Sequence, residues 1–410
     1  MIKSVALRRV ARIFNGGTPT PDPANWAGNV LWATPIDLGI NDGGTVSSTA
    51  RTLTQRGLDT GSQLVPAGSI IVSTRAPIGY MAITTAPLAF NQGCKGITPR
   101  SNTNGRFLKY ALMSRVDMMR ADGSGSTFME LSTDALARTL VSWTGDRDRQ
   151  VRIADFLDDQ VARIDKIIAT RRQQIIAAQT VPFAGFASKL DSVGARLAPL
   201  RRFLVDIADG PFGSAFASAD YSLTGPAVIR LGNIGLAEFQ RADIERVPTE
   251  IFDRFPRCHV EGGELLIASL GDGRNHAGRA CVAPDNLGPA MVKGKCFRVQ
   301  VNARLADPTF LAVVLSSMIG VEALAQFGRG ATRTMLNIDL VSSVELPMPT
   351  LSMQRRLRDE YLQEKASISV AVHTLKTTVT LMEELKRGLI TAAVTGEFDV
   401  SSADGSGMRV

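Results

Sequence analysis

Few residues of this chain are of types and spacings that could do covalent chemistry. The stretch "GDGRNHAG" at residues 271–278 is glycine-rich, and such turns can cradle a phosphate with their backbone N–H groups. Its spacing fits neither the G-x-G-x-x-G dinucleotide pattern nor the G-x-x-x-x-G-K-[ST] phosphate loop, and the latter occurs nowhere in the chain. A surface turn is the expectation, and the chain does not read as an ATPase. His276 in that turn titrates in the range of a general base. No nucleophile or metal set accompanies it, so it is expected to be a polar residue facing solvent or a bound macromolecule. Cys94, Cys258, Cys281 and Cys296 form no C-x-x-C pair, and the whole chain has three histidines. That excludes the usual structural zinc patterns and leaves free thiols in a reducing compartment. The reading is a non-catalytic protein, with no cofactor of its own and no metal.

What must position any functional residues is a chain of 410 residues, long enough for two or three domains. Its 44% hydrophobic and 21% charged content is ordinary for a folded chain with a sizeable core. The net charge of +7 favours a polyanionic partner only weakly, because the excess is spread thinly. Residues 1–19 hold four basic and no acidic residues, whereas residues 199–351 hold 15 basic and 16 acidic. No secretory signal opens the sequence, since Lys3, Arg8, Arg9 and Arg12 interrupt its first apolar run. The longest apolar stretch, from Phe310, contains Ser316, Ser317, Glu322 and Gln326 and reads as a buried helix. No membrane association and a cytoplasmic location are expected.

The chain is two copies of one plan. "LRRVARIFNGGTP" from Leu7 resembles "LRRFLVDIADGPFG" from Leu200, and "AGSIIVSTRAPIG" from Ala67 resembles "GGELLIASLGDGR" from Gly262. "RFLKYALMSR" from Arg106 resembles "TFLAVVLSSM" from Thr309, "LSTDALARTLVSW" from Leu131 resembles "LNIDLVSSVELPMP" from Leu336, and Gln150 matches Gln354. The offsets run 193, 195, 203, 205 and 204 in chain order, a nearly steady drift suited to duplication with loop insertions. Each copy opens with Gly- and Pro-punctuated runs rich in Val, Ile and Thr, which predict strands and turns. A short helix, a Gly-rich loop, another β-like run and a long helix follow.

Both long helices keep heptad spacing. Leu157, Val161, Ile164, Ile168, Arg171, Ile175 and Ala178 step by alternating fours and threes, and Tyr361, Lys365, Ile368, Val372, Leu375, Val379 and Met382 step identically. Such spacing predicts a two-helix coiled coil, antiparallel if a two-fold axis relates the copies. Arg171 and Lys365 interrupt the two stripes, and Pro182 is expected to end or kink the first helix. A helix of about 40 residues spans roughly 60 Å, so the pair is expected to be a rod separating two globular modules.

The segments "NQGCKGITP" (91–99), "GSGSTFMELSTDAL" with its counterpart "GRGATRTMLNIDL", "QVRIADFLDDQVARIDKII" at the first helix opening and "ELKRGLITAAVTGEF" (384–398) carry a resemblance over essentially the whole chain. It resembles the specificity subunit of type I restriction–modification systems. The resemblance implies an α+β fold: two tandem pseudo-symmetric target-recognition domains separated by two long antiparallel coiled-coil helices. The expected segments are recognition domain 1 at 1–147, a conserved helical spacer at 148–198, recognition domain 2 at 199–351, a second helical spacer at 352–400 and a disordered tail at 401–410. The implied partners are double-stranded DNA with a split target, two methyltransferase (modification) subunits and restriction (motor–nuclease) subunits. S-adenosylmethionine, ATP and Mg would sit on those partners, since neither a methyl-donor loop nor an amino-acceptor motif is visible in this chain.

If the work is recognition, loop cations and amides would meet base edges and phosphates. The candidates are Arg75, Asn91, Gln92 and Lys95 in the first copy, and Arg274, Asn275, Lys293, Arg329 and Arg333 in the second. Each could equally be a solvated turn residue. Asn91 and Gln92 belong to a family-wide motif and could instead hold the backbone. Two other readings stay open: a coiled-coil scaffold joining two protein-binding domains without DNA contact, and an enzyme with an unrecognised nuclease site.

Overall fold

The computed structural model describes residues 1–75, 77–123, 129–211, 220–271, 275–325 and 335–400. The chain forms two compact units. One comprises Met1–Arg172 with Thr377–Val410, the other Gln173–Lys376. Each unit holds one mixed lobe and about half of each long helix, so the compact units cut across the segment boundaries expected from the sequence.

The first lobe is built from β1 (Lys3–Ala6), β2 (Ala11–Asn15), β3 (Trp26–Ala33), β4 (Thr45–Val46), β5 (Arg51–Leu53), β6 (Leu64–Val65), β7 (Ile70–Ser73), β8 (Met81–Thr84), β9 (Leu88–Phe90), β10 (Cys94–Pro99) and β11 (Leu140–Trp143). They make a β1-β11 ribbon, a sheet of order β2-β10-β7-β8-β4 and a second sheet of order β5-β3-β9-β6. The second lobe uses β12 (Arg196–Pro199), β13 (Leu204–Asp209), β14 (Ser222–Ile229), β15 (Glu245–Arg246), β16 (His259–Val260), β17 (Leu265–Ala268), β18 (Ala280–Val282), β19 (Ala290–Val292), β20 (Cys296–Val301) and β21 (Glu345–Met348). Their order is β12-β21, β13-β20-β17-β18 and β15-β14-β19-β16. Strand for strand this is the first lobe without β4. Even the unusual pairing recurs: β3 with β9 and β14 with β19 are parallel, beside otherwise antiparallel neighbours.

The cores follow from the apolar runs. All four residues of β7 and all four of β17 are buried, which suits strands covered on both faces. In the second lobe the helices Pro308–Ser316 and Met318–Ala325 close the core, with Phe310, Leu311, Val313, Val314 and Leu315 wholly or almost wholly buried. Among the described residues no single helix is long and apolar enough to cross a membrane.

The long helices run Arg147–Ser192 and Leu351–Thr395. Asp146 caps the first, its carboxylate accepting from the Arg149 N–H at 2.9 Å. Gly396, in the left-handed conformation, ends the second. Pro182 does not end the first helix, which continues for ten residues past it. Proline removes one helical hydrogen bond and clashes with the preceding turn. Beyond it, however, Phe183 and Phe186 pack on Tyr361 with ring centroids 5.3 and 6.0 Å apart, and Phe186 packs on Phe310 at 5.6 Å. That burial holds the following turns helical.

Within each unit the two helices run antiparallel. In the first, Asp165 pairs with Lys386 and Arg172 with Glu383, each at 2.7 Å. In the second, Lys189 pairs with Glu360 at 3.0 Å while Phe183 and Phe186 lie on Tyr361. Leu157, Val161, Ile164 and Ile168 of the heptad stripe are all below 8% exposed, as expected. Lys365, which breaks the second stripe, has a partner in its own lobe, Glu238 at 3.0 Å.

Candidate nucleic-acid interface

The framework that positions the candidate residues is the same in both copies. Gln150, fully buried, accepts from the Asn104 N–H at 2.6 Å and donates to the Asn102 and Thr144 carbonyls at 3.2 and 2.6 Å. Gln354, equally buried, accepts from the Asp307 N–H at 3.0 Å and donates to the Leu305 and Pro349 carbonyls at 3.3 and 2.9 Å. Asn104 and Asp307 in turn cap the helices Gly105–Met113 and Pro308–Ser316. Each glutamine thus ties the root of a long helix to its lobe, and each uses both ends of its amide to do so.

The turn before β10 carries Asn91, Gln92 and Lys95. Asn91 Oδ1 accepts from the Gly93 N–H at 3.0 Å, its own N–H donates to Ala33 at 2.9 Å, and its carbonyl accepts from Cys94 at 3.0 Å. A Cβ on Gly16 would sit 1.8 Å from that carbonyl, so only glycine allows the end of β2 to pass. Gln92 accepts from the Thr18 hydroxyl. These two amides therefore hold the turn. Lys95 lies on β10 opposite Asn15 and Val72, is 8% exposed, and burial lowers its pKa. Arg75 pairs with Glu130 at 3.0 Å. Arg75 and Lys95, each interacting with Glu130, are thereby brought together in one small charged group.

In the second copy, Lys293 occupies the place of Asn91. A Cβ on Gly210 would meet its carbonyl carbon at 2.3 Å, the counterpart of the Gly16 approach. Lys293 Nζ donates to the Tyr221 hydroxyl at 2.8 Å and lines a concavity of about 510 Å³ with Tyr221, Arg230, Asn233 and Asp243. Arg230 reaches Glu245 at 3.4 Å. Asn275 is half-buried and lines a separate concavity with Gln240 and Lys365. Arg274, Arg329 and Arg333 lie outside the described residues.

His276, expected to face solvent or a bound macromolecule, is tied to the protein's own backbone. It is half-buried, its Nε2 lies 3.1 Å from the Leu315 carbonyl, and burial lowers its pKa. The flanks of its turn are held by Arg279, fully buried, which donates to the carbonyls of Ile234, Leu270, His276 and Leu231 at 2.7–3.2 Å. Arg279 had no sequence signal beyond its place after Gly278, the φ +88° glycine that matches Gly79 of the first copy, φ +103°. Sequence reasoning also passed over Trp26, Trp32 and Arg51. Trp26 and Trp32 meet edge to face with centroids 5.0 Å apart, and the Arg51 guanidinium lies 3.6 Å from the Trp26 centroid and 5.5 Å from that of Trp32. Two of the chain's three tryptophans within seven residues was the available signal. The thiols are buried: Cys281 and Cys296 are pushed up to about 12, and Cys94 and Cys258 are also raised. Among the described residues no group of three or more His, Cys, Asp or Glu could hold a metal.

Residues 2–177 match the family described as the type I restriction modification DNA specificity domain. The N-terminal part of the chain is thus similar to that specificity domain. The specificity domain so matched covers the first lobe and the start of the first long helix, and the second lobe repeats its strand order. The type I restriction enzyme MjaIX specificity subunit of Methanocaldococcus jannaschii is 28% identical over 161 residues, 38% of this chain and 37% of that protein. The match thus spans little more than a third of that relative's length. A chain solved in work on complex assembly and conformational transition of the type I R-M system shares the fold, with a TM-score of 0.61 at 14% identity over 97% of this chain and 98% of that one. The HsdS subunit from Thermoanaerobacter tengcongensis matches at a TM-score of 0.38 and 15% identity over 97% of both chains.

Proposed function

We propose that this chain is the DNA-recognition subunit of a type I restriction–modification complex. Each lobe reads one half of a split double-stranded target, and the chain docks two methyltransferase subunits and the motor–nuclease subunits. It performs no chemistry itself. S-adenosylmethionine, ATP and Mg act on the partners, and the complex works in the cytoplasm. One observation carries this reading: a DNA specificity domain, matched over residues 2–177, is followed by a second lobe of the same strand order, rooted to its helix by the same buried glutamine. Two copies of one reader in one chain suit two half-sites at fixed separation, as dimeric readers suit palindromes. The candidate contacts, Arg75, Asn91, Gln92, Lys95, Arg274, Asn275, Lys293, Arg329 and Arg333, now divide. Asn91 holds backbone and Gln92 meets the Thr18 hydroxyl, while Lys293, beside Tyr221 and Arg230, is the strongest of the described candidates for a DNA contact.

Methylome sequencing of a host carrying the gene with its methyltransferase partner tests the reading. A split methylated motif is expected. Exchanging residues 20–130 for those of a relative should change one half of that motif and leave the other. Absence of any sequence preference in the assembled complex would favour the scaffold reading, and a change in both halves together would end the modular one.

A further inference from the structure

The geometry points to Arg51 as a specificity-determining residue: a guanine reader for the half-site of the first lobe. This rests on the proposed function. β3 places Trp26 and Trp32 on one face, and Arg51, on the edge strand β5, stands directly opposite Trp32 in register. Both indoles are fixed by their N–H groups, Trp26 donating to the Thr20 carbonyl at 3.0 Å and Trp32 to the Gly17 carbonyl at 3.1 Å. The guanidinium carbon is 3.6 Å from the Trp26 ring centroid, which is stacking distance, and the electron-rich ring face attracts the cation. The stack removes rotamer freedom before any ligand arrives. Arg51 is exposed, and among the described residues its fork meets no carboxylate or carbonyl, whereas Arg56, Arg75 and Arg230 are each paired with an acid. A rigid, unpaired guanidinium fork matches the O6 and N7 acceptors of guanine in the major groove.

The second lobe supplies an internal comparison. Features that build the module recur in both copies: the buried glutamines, the glycines at 16 and 210, and the left-handed glycines at 79 and 278. The stack does not recur. At the register-equivalent positions of the second lobe, Val228 stands for Trp32 and Glu245 for Arg51. The groups of the framework common to both modules appear twice, and a group that reads one half-site should differ. A phosphate contact would need only an exposed cation, not one clamped over two fixed indoles.

The test uses the assembled complex with its methyltransferase partner. Wild type, Arg51→Gln and Arg51→Lys are compared by fluorescence anisotropy on duplexes carrying the target and every single-base replacement within it. Arg51→Gln should lose discrimination at one G·C pair of one half-site by about 5- to 150-fold, leaving the other half-site intact. Arg51→Lys keeps the charge over the ring but not the fork, so it should lose the same discrimination with the salt dependence preserved. Uniform weakening on all duplexes with a shallower salt slope would make Arg51 a phosphate contact and overturn the inference. Unchanged discrimination in both variants overturns it too. A wild-type complex without sequence preference would instead defeat the proposed function, so the two failures are distinguishable.

Discussion

Arg279 is the largest side chain buried completely among the described residues, and what it does is structural. Its guanidinium donates to four backbone carbonyls inside the second lobe, of which that of Leu231 also accepts from the Ile234 N–H at 3.3 Å. Burying a charge is expensive, and removing it strands the acceptors it served. Arg279→Met is therefore expected to destabilise the second unit by about 3–5 kcal/mol, read as an early transition in urea unfolding. Arg56→Met, at an exposed ion pair, should cost less than about 1 kcal/mol. A second expectation concerns pH. Burial pushes the Cys281 and Cys296 thiols up to about 12, against an ordinary 9.0. Between those values the unfolded chain holds fewer protons than the folded one, so stability is full below pH 9 and falls as pH rises from 9 towards 12. Urea unfolding at pH 8 and pH 10.5 should show the loss, and the double variant Cys281→Ala, Cys296→Ala should show a smaller one.

At the scale of elements, the segment 384–398 repays a closer look. Its apolar "ITAAV" is too hydrophobic to be left bare at a helix end. In the folded chain Ile390, Ala393 and Val394 are instead buried against Phe107, Tyr110, Ile153 and Leu157 of the same unit, and Phe398 stacks on Phe156 at 5.5 Å. The C-terminal helix end is thus part of the first unit's core. Asp158 reinforces the same contact, accepting from Arg106 at 2.7 Å and from the Tyr110 hydroxyl at 2.6 Å. Deleting residues 384–398 should consequently unfold or loosen the first unit rather than merely release a partner. Ile390→Asp should cost that unit more than about 3 kcal/mol while the second unit unfolds as before. Circular dichroism melts resolved by unit-specific tryptophan fluorescence would check this, since Trp26, Trp32 and Trp143 all lie in the first unit. Equal loss in both units would contradict it.

For the whole molecule, duplication with shared long helices makes the helices candidates for the ruler between half-sites. Seven residues inserted after Ile168 would add about 10 Å to one helix, or roughly three base pairs at ~3.4 Å per base pair. An accommodated insertion of that length in both helices, placed at matching heptad positions, is expected to lengthen the unread spacer of the methylated motif and leave both half-sites intact. Methylome sequencing of the insertion strain reads this directly. An unchanged spacer in an active complex would remove the helices from the role. The first unit joins two distant stretches of chain and the second is the continuous stretch Gln173–Lys376, each holding part of both long helices, so such insertions must keep the apolar stripe in phase on both helices or they will dissolve the units they were meant to separate.

The duplication and the heptad stripes were legible in the sequence by itself, because each is a matter of periodicity or of an offset between like segments, and neither depends on what the chain folds against; the recognition class came from the resemblance of segments such as "NQGCKGITP" and "ELKRGLITAAVTGEF" to a known family. The Gln150 and Gln354 match was visible as text and acquired its meaning from the two buried amide brackets. Tertiary structure decided the rest for identifiable reasons. Pro182 stays inside a helix because Phe183 and Phe186 find Tyr361, a residue 175 or more positions away in sequence. Asn91 turns inward to the backbone because β2 passes within contact of its turn at Gly16, and Gln92, though exposed, meets the Thr18 hydroxyl. His276 and Arg279 became structural once the carbonyls of Leu315 and Ile234 were brought to them. The Arg51 stack exists only because β5 pairs with β3 in a register that sets Arg51 across from Trp32. Composition and spacing determine which side chains are available, whereas partners supplied by strands and helices distant in sequence decide which of them remain free to meet DNA.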